Sequence, residues 1–170
     1  MESIDDFIQG VGVPEAYGIA NALSGSGEEY INDPSIEAAW AIKAYENSQV
    51  HLSLIISCDP GFLKLSEHDD EIYKKFRQQF PNLSIEVVTE DVLKSPEAKT
   101  EWRTFMEQFK QKIEDYNFGT LLRLDSNGLY DSDNTTLVPR TQFLAIEVAR
   151  NREGCNSKLR HIFRDLYKNS

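Results

Sequence analysis

The residues able to do chemistry are present but scattered. Three histidines, His51, His68 and His161, lie far apart, with no cysteine or acid beside them at metal-ligand spacing. Cys58 and Cys155 are the only cysteines, too few for a disulfide framework. Many carboxylates exist, but no two are singled out as an acid–base pair. Asp125–Asn134 resembles a calcium loop in composition. However, Gly128 comes too early after Asp125, and no glycine follows Asp131 at the required distance. A P-loop, a Gly-x-Ser-x-Gly elbow and a His-Glu-x-x-His pair are all lacking. Gly10-Val11-Gly12 has no strand before it and is not read as a dinucleotide loop. The expectation is a protein with no catalytic residues, no metal and no cofactor. The densest meeting of polar groups with probable core is Tyr116–Gly154. This stretch runs from a short apolar segment, through an Asp/Asn/Gly/Ser-rich turn, to Arg150-Asn151-Arg152-Glu153-Gly154.

The elements that would position this stretch are mainly helical. Asp33-Pro34 is a cap followed by a proline suited to the first helical position, and predicts a helix from Pro34 to about Ser57. Ile36, Trp40, Ala44, His51 and Leu54 or Ile55 fall near one face of it, where His51 reads as a core histidine. Ser66-Glu67-His68-Asp69 resembles a capping box ahead of a helix over 69–80. Ser84–Thr89 alternates as a short strand. Ser95-Pro96 opens a helix over 96–114, with Trp102, Phe105, Met106, Phe109 and Ile113 as its buried face. Thr120–Leu124 is a buried-strand candidate, so any sheet is small and built from 84–89 and 120–124. Pro139 opens a helix to 152 that is apolar on more than one side and therefore central. Gly154 suits the left-handed position after it. A last helix over 157–167 presents Leu159, Ile162, Phe163, Leu166 and Tyr167. The expected fold is mainly α, a single compact domain of four to five helices with at most a small β element, over 32–170. Residues 1–31, rich in Gly and Ser with one short helix near Pro14–Leu23, are expected to be partly flexible.

The chain has 170 residues, 28 acidic and 18 basic, for a formal net charge of −10. Such a charge repels nucleic-acid phosphates and anionic membranes and favours basic protein partners. The start of the chain has no basic n-region and no long apolar run, and no stretch approaches the roughly 20 apolar residues of a membrane span. The compartment expected is the cytosol, with the nucleus as a second location.

Four blocks carry a resemblance: Asn32–Ala41 (NDPSIEAAWA), Asp59–Leu65 (DPGFLKL), Tyr116–Asp125 (YNFGTLLRLD) and Pro139–Gly154. Together, in this order, they resemble the polysaccharide biosynthesis domain-containing family of small eukaryotic cytosolic proteins, over roughly Asn32 to Gly154. The resemblance implies a mainly helical fold. It also implies a non-catalytic chaperone of newly made, nucleotide-free translation elongation factor 1-alpha, a basic GTPase that is released as GTP binding matures it. Ribosome-associated factors are further expected partners, and the protein is expected to be a monomer. The family name also implies an alternative, an S-adenosylmethionine-dependent methyltransferase of polysaccharide biosynthesis, because a distant plant group of xylan-methylating enzymes, with a methyl-donor site on a Rossmann-like sheet, shares part of the last block; this chain has no glycine-rich donor loop before that block. A nucleic-acid or ribosome adaptor would need a basic patch, which only Arg150, Arg152, Lys158, Arg160 and Arg164 could supply. The partner-binding candidates are Arg123, Asp125, Tyr130, Arg140, Arg150, Asn151, Arg152 and Glu153, because Arg-Asn-Arg-Glu is more elaborate than a helix end requires and arginine suits interface anchors. The competing expectation is that Arg150 and Arg152 pair internally with Asp125, Asp131 or Glu147.

Overall fold

In a computed structural model of the protein, residues 34–168 are described, with side chains for 37–165. The expectations for residues 1–31, for the Asp33 cap and for the side chains of Ile36, Leu166 and Tyr167 lie outside the described residues. Among the described residues six α-helices surround a two-stranded antiparallel sheet: α1 (Pro34–Ser57), α2 (Asp69–Gln79), α3 (Glu90–Lys94), α4 (Pro96–Glu107), β1 (Gly119–Arg123), β2 (Thr135–Pro139), α5 (Arg140–Arg152) and α6 (Cys155–Lys168).

Local chemistry explains most boundaries. Ser95 caps α4 by accepting from the Ala98 amide at 3.1 Å, with Pro96 at the first helical position. Asp69 reaches back to the Ser66 amide at 2.8 Å, as a capping box does, but the Ser66 hydroxyl accepts from the His68 amide at 3.1 Å and donates to the Asp69 carboxylate at 2.8 Å instead of accepting from the Asp69 amide. Gly154 adopts φ +87° after α5, the left-handed conformation that glycine reaches without a Cβ penalty.

Three expectations are corrected. The helix over 96–114 ends at Glu107, and Phe109 and Ile113 are buried from the turns that follow it. Pro139 is the last residue of β2, and α5 begins one residue later. β1 pairs with β2, Leu121 opposite Leu137, and not with 84–89. That segment makes one bridge, Val87 to Asp125, supported by Val88 N–H to the Leu124 carbonyl at 2.9 Å and Ser126 N–H to the Glu86 carbonyl at 2.8 Å. α3 and β2 were not anticipated, because α3 is only five residues long, too short to show a helical period, and β2, Thr-Thr-Leu-Val-Pro, neither alternates apolar with polar residues nor forms a continuous apolar run.

β1 divides the interior. Alternate side chains leave a strand on opposite faces. Leu122 therefore enters a cluster with the aromatic residues Phe76, Trp102, Phe105 and Phe109, while Leu121 enters a second cluster with Ile55, Leu159 and Phe163. α5 lies against β1, α2 and α6, and ten of its thirteen residues are buried. It is the central helix that its two-sided apolar pattern predicts.

Candidate functional site

A helix buried on nearly all sides must satisfy any polar residue it carries, and α5 carries several. Glu147 and Arg150 sit one turn apart, so their side chains meet. The Arg150 Nη1 donates to Glu147 Oε1 at 2.8 Å and to the Arg123 carbonyl at 2.8 Å. Its Nε donates to the Ile85 carbonyl at 2.7 Å, and its Nη2 to the Leu124 carbonyl at 3.0 Å. One guanidinium thus ties the 84–88 segment to the end of β1, which is why that segment needs no full strand pairing. Arg123, at the end of β1, approaches from the other side. Its Nη2 lies 3.3 Å from both Glu147 oxygens and donates to Asn156 Oδ1 at 2.7 Å. Its Nη1 donates to the carbonyls of Ser126 at 2.8 Å and Gly128 at 3.2 Å, folding the turn after β1 onto the cluster. The Asn156 amide closes the ring through Glu147 Oε2 at 3.0 Å and Asn151 Oδ1 at 2.6 Å. Arg123, Glu147 and Arg150 are each 0% exposed.

His51 from α1 completes the group. Its Nδ1 lies 2.7 Å from the Tyr130 hydroxyl, and its Nε2 lies 3.4 Å from Glu147 Oε2, too poorly aligned for a hydrogen bond. Burial lowers the His51 pKa to about 4, against the pull of Glu147, and Arg123 and Arg150 lower it further. His51 is therefore neutral near pH 7. A proton on Nε2 faces the carboxylate, which leaves Nδ1 to accept from Tyr130. For Glu147 burial opposes ionisation, but Arg123, His51, Arg150 and the Asn156 amide outweigh it and hold the carboxyl below its usual range. Burial pushes the Tyr130 hydroxyl well above its usual range. A proton-transfer group works best with a pKa near the working pH, and all three of these groups are driven away from it. One carboxylate between two guanidiniums leaves an excess positive charge, which the aligned carbonyls absorb. The arrangement fixes α1, β1, α5 and α6 to one another.

The eight candidate partner-binding residues do not share one surface. Arg123, Tyr130 and Arg150 are buried in the cluster, so the expectation that they present a binding face is corrected. The pairing of Arg150 with Glu147 is the internal alternative. Asp125 is half-buried, and its carboxylate accepts from the Asn127 amide at 2.9 Å to shape the turn. Asp131 similarly caps Asn134 at 2.9 Å. Arg140 is half-buried on a separate cavity beside α1. Only Arg152 and Glu153 are exposed. Arg152 pairs with Asp70 and lies over the Tyr73 ring, 5.3 Å from its centroid, while Glu153 receives both Nε and Nη2 of Arg77, at 2.8 and 2.7 Å. Asn151 is 3% exposed, but it lines a cleft of about 230 Å³ with Phe62, Lys64 and Arg152, and its Nδ2 has no partner. The basic cluster considered for nucleic acid is also dispersed: Arg150 is buried, Lys158 pairs with Glu86 at 3.1 Å and Arg160 donates to the Ile56 carbonyl at 3.4 Å.

In the sequence Glu147 was only one of three internal partners considered for the arginines, although a lone acid between Ile146 and Val148 on a helix apolar on several sides is a usable signal for the centre of the cluster. Phe62 carries none, yet it is 90% exposed on a short 3-10 turn, Pro60–Phe62, fixed by the Asp59 carboxylate on the Gly61 amide at 3.0 Å.

Comparison with known proteins agrees with this architecture. A family model described as PBDC1 protein matches residues 36–161. The chain is 53% identical over 142 residues to Protein PBDC1 of Mus musculus, covering 84% of this chain and 72% of that protein. It is 51% identical to Protein PBDC1 of Homo sapiens, of whose length it spans 61%. The solution NMR structure of protein yst0336 from Saccharomyces cerevisiae superimposes with a TM-score of 0.70 at 38% identity, over 83% of this chain and 98% of that one. With the family model covering most of the described residues and relatives identical at half their aligned positions, the chain belongs to the polysaccharide biosynthesis domain-containing (PBDC1) family.

Proposed function

We propose that this protein is a non-catalytic binding protein for newly synthesised translation elongation factor 1-alpha. In this reading it holds the GTPase domain before nucleotide binds and releases it as GTP orders the switch segments. The client follows from the family resemblance; the physical support comes from the molecule. The observation that carries the reading is the face around Phe62. A large aromatic ring stands in solvent on a braced turn, beside the cleft lined by Asn151 and Arg152. Aromatic and arginine anchors beside a pocket are the usual centre of a protein interface. By contrast, the buried His51, Tyr130 and Glu147 are committed to one another and to the arginines of the cluster. A net charge of −10 speeds encounter with a basic client and disfavours nucleic acid. Binding the apo, folded-like GTPase stabilises it by mass action, and a nucleotide-driven change in its surface ends the preference. Action in the cytosol as a monomer, close to ribosome-associated factors, belongs to the same reading.

The test is capture of nucleotide-free elongation factor 1-alpha by purified wild type, Phe62→Ala, Arg152→Glu and a buried control, Leu159→Val. Wild type and the control are expected to capture the client, and the two surface variants to lose at least tenfold in affinity with unchanged melting temperature. A wild type that captures nothing removes the chaperone role, while equal capture by all four moves the binding face elsewhere. The methyltransferase alternative predicts micromolar S-adenosylmethionine binding by calorimetry. The described sheet, two antiparallel strands, is a poor base for the donor site that the methylating relatives build on a Rossmann-like sheet.

A further inference from the structure

A second, unrelated cavity lies between α1, the start of β1 and the first turn of α5, with a volume of about 270 Å³. Its lining is divided by chemistry. Leu54, Phe118 and Phe143 supply apolar wall. Ser48 and Thr120 supply oxygens whose protons are already committed: the Ser48 hydroxyl donates to the Tyr45 carbonyl at 2.6 Å and the Thr120 hydroxyl to the Phe118 carbonyl at 2.9 Å. These two groups therefore face the cavity as acceptors. Among the described residues that line it, Arg140 supplies the one formal charge. Its Nε is buried without a hydrogen-bond acceptor, and among the described residues no carboxylate lies within ion-pair distance of its guanidinium. Arg77, Arg123, Arg150 and Arg152 each have an acidic partner, and half-buried Arg160, which has none among the described residues, donates to the Ile56 carbonyl. In a chain with 28 acidic and 18 basic residues, a half-buried arginine left unpaired is an exception. A buried donor without an acceptor is also destabilising by itself.

We propose that this cavity binds an α-amido carboxylate with a compact apolar side chain. The donor set matches that class point by point. The planar guanidinium of Arg140 pairs with the carboxylate. The Ser48 and Thr120 oxygens accept from the amide N–H, and the apolar wall takes the side chain. One unpaired guanidinium suits a monoanion better than a doubly charged phosphate. The size agrees, since a dry cavity of about 150 Å³ already holds a benzene ring. Neutral His51 lines the same cavity and adds no competing charge. Such a group occurs at the C-terminal end of a polypeptide and in a free N-acyl amino acid. The inference does not depend on the client reading, because the cavity is built from residues other than those around Phe62.

The test titrates the full chain with N-acetyl-leucine, with N-acetyl-leucinamide and with a hexapeptide ending in leucine, followed by heteronuclear NMR and calorimetry. The expected result is saturable shifts at Thr120, Phe143 and the His51 ring with the two carboxylates. Binding should be at least tenfold weaker for the amide and for Arg140→Gln, with partial recovery in Arg140→Lys. Tighter binding of the hexapeptide than of N-acetyl-leucine assigns the site to a chain terminus, and the reverse order assigns it to a free metabolite. Equal binding of acid and amide to wild type overturns the proposal even if the Arg140 variants fail to fold. So does the absence of any saturable shift at millimolar carboxylate, or undiminished binding by folded Arg140→Gln.

Discussion

Replacing Glu147 by glutamine tests the central cluster most directly. The substitution keeps the shape of the side chain and removes one charge. It leaves Arg123 and Arg150, both 0% exposed, with no carboxylate within ion-pair distance among the described residues. Breaking a buried pair by removing one partner costs about 3–5 kcal/mol, because the remaining ion is desolvated without compensation. Here two cations are abandoned, while the carbonyls of Ile85, Arg123, Leu124, Ser126 and Gly128 still accept from them, which keeps the cost within that range. For a chain of this size each kcal/mol moves the melting temperature by about 2–4 °C, so the expected fall is roughly 6–20 °C. The assay is thermal melting by circular dichroism at pH 7, with a urea titration to confirm an unchanged m-value. A fall below about 2 °C with m unchanged would refute the argument that Glu147 neutralises the cluster. The pH dependence carries the matching sign. The folded carboxyl titrates below the ordinary carboxylate value of 4.5, so its contribution is complete above that value, declines as pH falls below it and is gone once pH has fallen through the lower, folded one.

His51 gives a separate pH signature. The unfolded chain protonates it near 6.5 and the folded protein only near 4, so the unfolded state gains the proton first. Stability therefore falls as pH drops from 6.5 to about 4 and then levels off, by about 3 kcal/mol in all. Comparing urea midpoints at pH 7 and pH 4.5 should show a flatter dependence in His51→Gln than in wild type, and parallel curves would remove His51 as the cause. Trp102 is 1% exposed and stacked on Phe80 with ring centroids 4.5 Å apart, so Trp102→Ala should cost about 3–5 kcal/mol by denaturant titration. Phe143 is only partly buried, so Phe143→Ala should cost clearly less, and an equal loss would show that exposure does not rank these sites. Gly154→Ala places a Cβ where nothing lies within 4 Å but φ is +87°, so the cost is conformational alone, about 1 kcal/mol, read as a small fall in melting temperature.

Local sequence determined the helices that announce themselves locally. Pro34, Ser95-Pro96 and Gly154 mark boundaries because a cap, a proline ring or a missing Cβ acts within a few residues of the chain. The stripe of Trp102, Phe105 and Phe109 was legible because burial follows a helical period and then carries on into the next turn. The partner of β1 was not legible, since Ser84–Thr89 and Thr135–Pro139 are both short and pairing is settled by which one the turn at Asp125–Asn134 returns to the strand. The fate of the charged residues was least legible of all. Arg150 and Arg152 are two positions apart in the same helix, yet one is enclosed by Glu147 and three carbonyls while the other stands at the surface over Tyr73. A helix turns about 100° per residue, so neighbouring arginines point to different surroundings. Whether an arginine becomes a structural tie, a surface anchor or, like Arg140, an unpaired charge on a cavity depends on what the distant segments place opposite it. Those segments, His51 on α1, Ile85 before α3 and Asn156 on α6, meet only in the tertiary structure.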